Sequence, residues 1–424
     1  AVGAAIRAAK PSNNDSGEPQ PGKTAGNDSQ DESRLKIQAL MAERKRLQNT
    51  DRVGRAQISK QIRREIKAEK SQRCSEQIEV ILRKFANFRC ISGIKSRRKK
   101  LHIAQMEDAG GNMVTSKQDI ADVFADFYAD LYNSTHGQEL GTTGPRSQIT
   151  EFSMDELDVA LKKIKSGKSR DLKGIVAEML KHGGESLKMA ILDLFNDAIH
   201  PDADHPKDWK TTCIRVLLKS GHPSLPKNYR PISVLPIMYK LFSILVSSRI
   251  EGVLEASQCE DQAGFRKSYC TLDHMFALVL IQEKAEEWNH ELWIAAVDFM
   301  KAFDSVEHES IWTALREQGV GEEYIALLRS LYTNQKGMIA TTVRSKEFDI
   351  KRGTKQGDPL STLLFNAVLE HVFVKLKLEW TKRNCGLEMS LGVKRHLSNL
   401  RFADDVLLFA STQKQVVAML SELK

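Results

Sequence analysis

Three aspartates stand where apolar runs end. Leu292-Trp-Ile-Ala-Ala-Val-Asp298 reads as a strand closing on one acid. Arg401-Phe-Ala-Asp404-Asp405-Val-Leu-Leu-Phe409 sets two more between apolar stretches, as at the tip of a hairpin. Carboxylates presented at one point by rigid strands are the donor set that hard divalent cations prefer. A pair of such ions can activate a hydroxyl and stabilise a leaving group during in-line displacement at phosphorus. An isolated Asp-Asp is equally a solvated turn, and an acid at a strand end equally a turn residue. The chemistry therefore depends on all three meeting.

Other residues around these acids have their own physical readings. Asp304, with Glu307 three positions on, has the spacing of a helix N-cap and is expected to be structural. Phe303 beside that helix start reads as core when taken alone. In Arg352-Gly-Thr-Lys-Gln356-Gly357-Asp358-Pro359-Leu360-Ser361, Gly353 and Gly357 permit close backbone approach, and Asp358-Pro359 has the form of a helix start. Asn228-Tyr-Arg230-Pro-Ile-Ser233 and Gln262-Ala-Gly264-Phe265-Arg266 lie upstream. Ser166-Gly167-Lys168-Ser169 mimics a phosphate loop, but Lys162 stands where the first glycine is needed, so a nucleotide-triphosphatase loop is rejected.

In order and spacing, these segments resemble the motifs of reverse transcriptases, and in particular those of non-LTR (LINE-type) retrotransposons. Ala295–Asp304 resembles motif A, Arg352–Ser361 motif B and Phe402–Asp405 motif C, while the Arg230 and Arg266 segments resemble motifs of the fingers. The resemblance runs from about residue 110 to 424 and is strongest after 210. It implies that Asp298, Asp404 and Asp405 are catalytic and hold two Mg2+ ions, with Mn2+ as a substitute. Asp298 and Asp404 would be the direct ligands and Asp405 a second-tier one. It also implies that Lys219 and Arg230 grip the triphosphate, which suits Arg through its bidentate phosphate contacts. Phe303 becomes a steric gate that excludes a 2′-hydroxyl, and Gln356 meets the incoming nucleotide. Arg266 and Gly357 lie along template and primer. Thr362, Ser268, Cys270 and Asp171-Leu-Lys-Gly174 depart from the family pattern and mark a diverged copy.

The chain of 424 residues is 41% hydrophobic and 28% charged, within the range of globular proteins. No apolar stretch long enough to span a bilayer is expected, nor a membrane partner. Six cysteines (Cys74, Cys90, Cys213, Cys259, Cys270, Cys385) lack zinc spacing and read as reduced thiols of an intracellular protein. Net charge is +8, yet residues 31–100 alone hold 21 Lys or Arg against 8 Asp or Glu. A concentrated basic stripe is the footprint of a nucleic-acid binder, or of a solvated helix face. Lys95-Ser-Arg97-Arg98-Lys99-Lys100 has the form of a nuclear-import signal, and action in the nucleus is expected.

Along the chain, residues 1–30 read as a disordered tail and 31–108 as a basic helical extension. In the extension Ile58, Ile62 and Ile66 form one apolar stripe, and Ile78, Ile81, Leu82 and Phe85 another. Asp108–Asn112 reads as a turn, and Ile120, Val123, Phe124, Phe127, Tyr128 and Leu131 as the buried face of a helix. Ser153 and Glu156 have capping-box spacing. The expected organisation is a helical region at 109–204, fingers at 205–290 and an incomplete palm at 291–424. The fold class is α/β, a right-hand polymerase palm whose antiparallel sheet is backed by helices. A thumb, a primer grip and an endonuclease are expected outside this sequence, so weak or no processive synthesis is expected from this chain alone. The partners implied are an RNA template, a DNA primer and deoxynucleoside triphosphates; nothing in the sequence fixes an oligomeric state. An inactive nucleic-acid-binding remnant and an intron maturase are the alternatives.

Overall fold

The computed structural model describes residues 26–46, 51–83, 103–134, 148–201, 203–388 and 396–423. The tail up to residue 25, Phe85 and the basic run Lys95–Lys100 lie outside the described residues, as do the side chains of Ile78, Ile81 and Leu82. The described residues form two compact units. One holds residues 26–83 with 165–170 and 176–191; the other holds 103–164, 171–175 and 192–423.

In the first unit the helix Gly26–Arg46 begins inside the stretch expected to be a tail, and a second helix covers Arg52–Arg83. The two pack together through buried Ile37 and Ile62, with a Lys36–Glu65 ion pair of 2.9 Å beside them. Ile58 and Ile66 flank Ile62 half-buried, while Arg63, Arg64 and Lys67 are exposed. The i,i+4 isoleucine stripe is therefore a packing face and the cations point to solvent.

The second unit carries the strands. β1 (Met106–Glu107) and β2 (Met113–Val114) pair around the expected turn, where Asp108 Oδ1 accepts from the N–H groups of Gly110 and Asn112 at 2.9 and 2.8 Å. β3 (Thr211–Leu218) and β4 (Tyr229–Val234) form an antiparallel pair; β5 is Trp293–Asp298. β6 (Gln335–Ala340) and β7 (Arg344–Ile350) follow, then the short pair β8 (Leu387–Glu388) and β9 (His396–Leu397). β10 (Asn399–Phe402) and β11 (Asp405–Ala410) complete the set. One sheet has the order β4-β3-β6-β7, with β3 and β6 parallel and the other neighbours antiparallel. The other has the order β10-β11-β5 and is antiparallel throughout.

Helical periodicity over Lys117–Leu131 buries Ile120, Phe124 and Tyr128 against Ile214, Tyr229, Ile339, Phe348 and Ile350 of the four-stranded sheet. Residues on both sides of the boundary expected near 200 thus share one core. Strands from the expected fingers (β3, β4) and the expected palm (β6, β7) likewise share one sheet, because the parallel β3–β6 pairing joins them. No local sequence pattern announces such a pairing.

Behind the three-stranded sheet, Val406, Leu408 and Ala410 of β11 pack on Phe365, Phe373 and Trp380 of the helix Pro359–Lys382. Val416 and Met419 of the helix Gln413–Leu423 join the same core. Each of these large side chains contributes roughly 1.5–3 kcal/mol by leaving water. The helix Pro359–Lys382 meets the length and hydropathy of a bilayer span, which the sequence reading did not anticipate, but half of that window is buried. Its buried face packs on the sheet and on the helices Ile237–Ser257 and His308–Glu317, while Val372, Val374 and Leu378 are exposed.

Two of the expected helix starts hold. Ser153 Oγ accepts from Glu156 N–H and the Glu156 carboxylate accepts from Ser153 N–H, opening the helix Met154–Lys163. Asp358 caps Pro359–Lys382 by accepting from Leu360 N–H at 3.2 Å. Asp171, in the segment that departs from the family pattern, still makes its turn: Oδ1 accepts from Lys173 and Ile175 N–H, at 2.9 and 2.8 Å. Its other oxygen accepts from Ile237 N–H at 3.1 Å, at the start of the helix Ile237–Ser257.

Candidate active site

β11 lies between β10 and β5, and its register sets the acids. Asp405 pairs directly with Asp298, and Phe402 pairs with Asp405 across the β10–β11 hairpin. Directly paired residues share a face of the sheet, so the Asp298 and Asp405 carboxyls stand side by side. Asp404 occupies the turn beside them. Asp298 and Asp405 are exposed and Asp404 is half-buried. Partial burial raises the Asp405 pKa, and the neighbouring charges of Asp404 and Asp298 raise it further; Lys219 is close enough to draw it back down. Lys219 follows β3 and is exposed, with its N–H on Asn228 O at 2.9 Å.

Among the described residues no three His, Cys, Asp or Glu side chains are drawn tightly enough to form a ready-made metal cage. The donor chemistry nevertheless suits a hard divalent cation. The set is all carboxylate, it is open to solvent, and its members repel one another in a way a cation would relieve.

Phe303 stacks on Phe365 with centroids 4.2 Å apart and planes 20° apart, and meets Phe265 edge-on at 5.8 Å. It is half-buried, so one part anchors in the core and another is left open. Arg230 is exposed on β4, opposite Leu217 of β3. Gly357, at φ 104°, sits where an added Cβ would be 3.5 Å from Ser233 O, and Ser233 N–H donates to Gln356 O at 3.1 Å. The second motif is thereby tied to β4.

Two sequence expectations change. Asp304 is not an N-cap: it lies inside the short helix Ala302–Ser305, and Glu307 precedes the next helix without a side-chain cap bond. Asp304 is almost fully buried instead, accepting from Tyr132 Oη at 2.9 Å and from Gln356 Nε2 at 2.8 Å. Burial pushes its pKa up to about 6, although those hydrogen bonds and Lys301 oppose the rise. Gly353 presses on the same place, since an added Cβ would lie 2.7 Å from Asp304 O. The close approach that this glycine permits is to Asp304, within the protein.

Arg266 is the second change. Its guanidinium bonds Glu255 Oε1 (2.9 Å), Cys259 O (2.6 Å) and Gln262 O (2.9 Å), and lies over the Tyr269 ring. With its donors spent inside the fold, it ties residues 255–269 together and has little left for a template strand.

Sequence reasoning missed two buried cations. Lys355 donates to Trp209 O at 3.0 Å and lies over the Tyr239 and Tyr332 rings; burial pulls its pKa down to about 8, against the pull of Asp358. Arg401, next to the acid hairpin, donates to Glu370 Oε2 at 2.7 Å with both side chains sealed from solvent. Arg401 stands beside an apolar run, a signal that solvated cations also give, whereas Lys355 lies among Gly, Thr and Gln and gives none.

Residues 217–424 match the family model described as reverse transcriptase (RNA-dependent DNA polymerase). These residues, just under half of the chain, are similar to that family. The chain is 30% identical to the Retrovirus-related Pol polyprotein from type-1 retrotransposable element R2 of Popillia japonica, over 48% of this chain and 28% of that protein. It is 26% identical to the Transposon TX1 uncharacterized 149 kDa protein of Xenopus laevis, over 62% of this chain and 20% of that protein. The chain thus spans under a third of the length of these relatives. A truncated apo telomerase from Candida tropicalis aligns over 52% of this chain and 47% of its own at 12% identity, with a TM-score of 0.38. The likeness to non-LTR retrotransposon enzymes read from the motifs is matched by these relatives, and the structure has an α/β reverse transcriptase fold with a helix-backed sheet.

Proposed function

We propose that this chain contributes the catalytic centre of an RNA-directed DNA polymerase of a non-LTR retrotransposon, acting in the nucleus. The observation that carries the proposal is the in-register pairing of Asp298 with Asp405, with Asp404 at the adjoining hairpin tip. Two Mg2+ ions, or Mn2+ in their place, would lower the pKa of the primer 3′-hydroxyl and stabilise charge on the departing pyrophosphate. Asp298, Asp404 and Asp405 are the residues that would hold them.

The remaining side chains act on the substrates. Lys219, already within electrostatic reach of Asp405, and exposed Arg230 grip the triphosphate of a deoxynucleotide. Phe303, fixed by its stack on Phe365, leaves no room for a 2′-hydroxyl. Gln356, held by Asp304, meets the incoming nucleotide, and Gly357 lets the base pair approach. The template is RNA and the primer DNA.

Primer extension on an RNA template, with Asp404→Ala as the control, tests this reading. Short, non-processive synthesis by the unaltered chain and none by the variant is the expected result. Equal signal from both would leave the nucleic-acid-binding remnant as the better account.

A further inference from the structure

The hairpin that bears Asp404 and Asp405 is not held by its own strands alone. Phe402 pairs with Asp405, so the loop between β10 and β11 is two residues long, Ala403 and Asp404. Ala403 sits at φ 58°, and Asp404 is not among the residues with positive φ. A positive φ at the first loop residue only is the pattern of a type II′ turn, a position that favours glycine. An alanine there is strained unless its surroundings hold it.

The surroundings do so from a segment far away in sequence. Gln262 is fully buried, and its Oε1 accepts from Ala403 N–H at 3.0 Å and from Gly264 N–H at 2.8 Å. Its Nε2 points to Ala403 O at 3.4 Å. The backbone on either side is stitched to β10: Arg401 N–H donates to Asp261 O (2.7 Å) and Ala263 N–H to Arg401 O (2.9 Å). An added Cβ on Gly264 would stand 2.1 Å from Ala403 N, so this residue has to be glycine for the segment to lie so close. Asn366 Nδ2 fixes the far side by donating to Gly264 O at 2.9 Å.

We infer that Gln262 is a positioning residue for the acid pair: its side-chain amide holds Ala403 in the left-handed conformation that presents Asp404 and Asp405 together. The inference rests on the reading of those acids as metal ligands. Outer groups that orient metal ligands commonly change metal affinity by about 10- to 100-fold when removed. Gln262→Met keeps the length of the side chain and removes both its acceptor and its donor.

Mn2+ binding to the full chain, followed by loss of the free-ion electron paramagnetic resonance signal, tests this without reference to catalysis. Gln262→Met is expected to weaken binding by about tenfold or more. In an Ala403→Gly background the same substitution should cost about threefold or less, because glycine keeps a positive φ unaided. A packing role elsewhere in the core would gain nothing from that glycine. If Gln262→Met alone does not fold, recovery of folding in the Ala403→Gly background supports the proposal and absence of recovery overturns it. Mn2+ affinity in Gln262→Met equal to the unaltered chain, or a loss just as large in the Ala403→Gly background, also overturns it. Failure of the underlying reading would look different: Asp298→Ala and Asp404→Ala would then bind Mn2+ as the unaltered chain does.

Discussion

Asp298 and Asp304 belong to one motif yet are held in opposite ways. Asp298 is exposed at a strand end, paired in register with a second carboxylate and beside a third. Asp304 is sealed from water, and each of its oxygens receives a hydrogen bond, one from Tyr132 and one from Gln356. Asp358 resembles Asp304 in this, being buried with Ser243 Oγ and Leu360 N–H on Oδ1. The open acids gain little from one another and repel, and under the proposed function the fold tolerates them because a cation binds there. The buried acids organise the backbone around that place. One residue type thus stands either open to a proposed ligand role or closed as scaffold, and burial with donors decides which.

The contrast can be broken most severely at the open acids. Asp298→Ala should lower primer extension by about a thousandfold or more, with a thermal midpoint close to that of the unaltered chain, since the change removes an exposed, repelled group. Loss of folding instead would make Asp298 scaffold like Asp304. Next in size, Phe303→Val should raise ribonucleotide incorporation relative to deoxynucleotide by about 10- to 100-fold in competition assays. An unchanged ratio would return Phe303 to a packing role.

The buried acid gives a pH signature. Its native pKa of about 6 lies above the ordinary 3.8, so the native state binds this proton more tightly than the unfolded chain does. The stability it contributes is fully present below about 3.8 and is lost as pH rises through about 6. Compared with Asp304→Asn in denaturant unfolding, the unaltered chain should therefore gain about 2–3 kcal/mol on going from pH 7 to pH 4. A difference that does not vary with pH would remove Asp304 from the buried class. The smallest effect is expected from Gly353→Ala, which forces a Cβ against Asp304 O and strains a φ of 85°. It should cost about 1–2 kcal/mol of stability in the same measurement.

The sequence made legible whatever depends on near neighbours. The strand before Asp298, the acid hairpin, the Ser153 capping box and the Asp358 N-cap each have a signature within a few residues, and each is in the structure. Asp304 was misread for the same reason: Glu307 three positions on has N-cap spacing, whereas the true partners are Tyr132 and Gln356, which no periodicity connects to it. The clamp of Gln262 on Ala403 and the parallel pairing of β3 with β6 were hidden likewise. Arg266 was legible as a cation but not as a satisfied one, because the carbonyl oxygens that occupy it leave no trace in composition.

The distance in sequence between Gln262 and the hairpin it clamps has a consequence for how the molecule is made. The two are 141 residues apart, and β5 waits for β11 across a comparable stretch of chain. Contacts of such separation form late, since loop closure has to precede their reward. During synthesis the segment 261–264 and the strand ending at Asp298 leave the ribosome long before their partners exist, with edges and apolar faces uncovered. Under the proposed function, the ability to capture a divalent ion therefore arises only once β11 has emerged, and a nascent chain cut short of β11 lacks it.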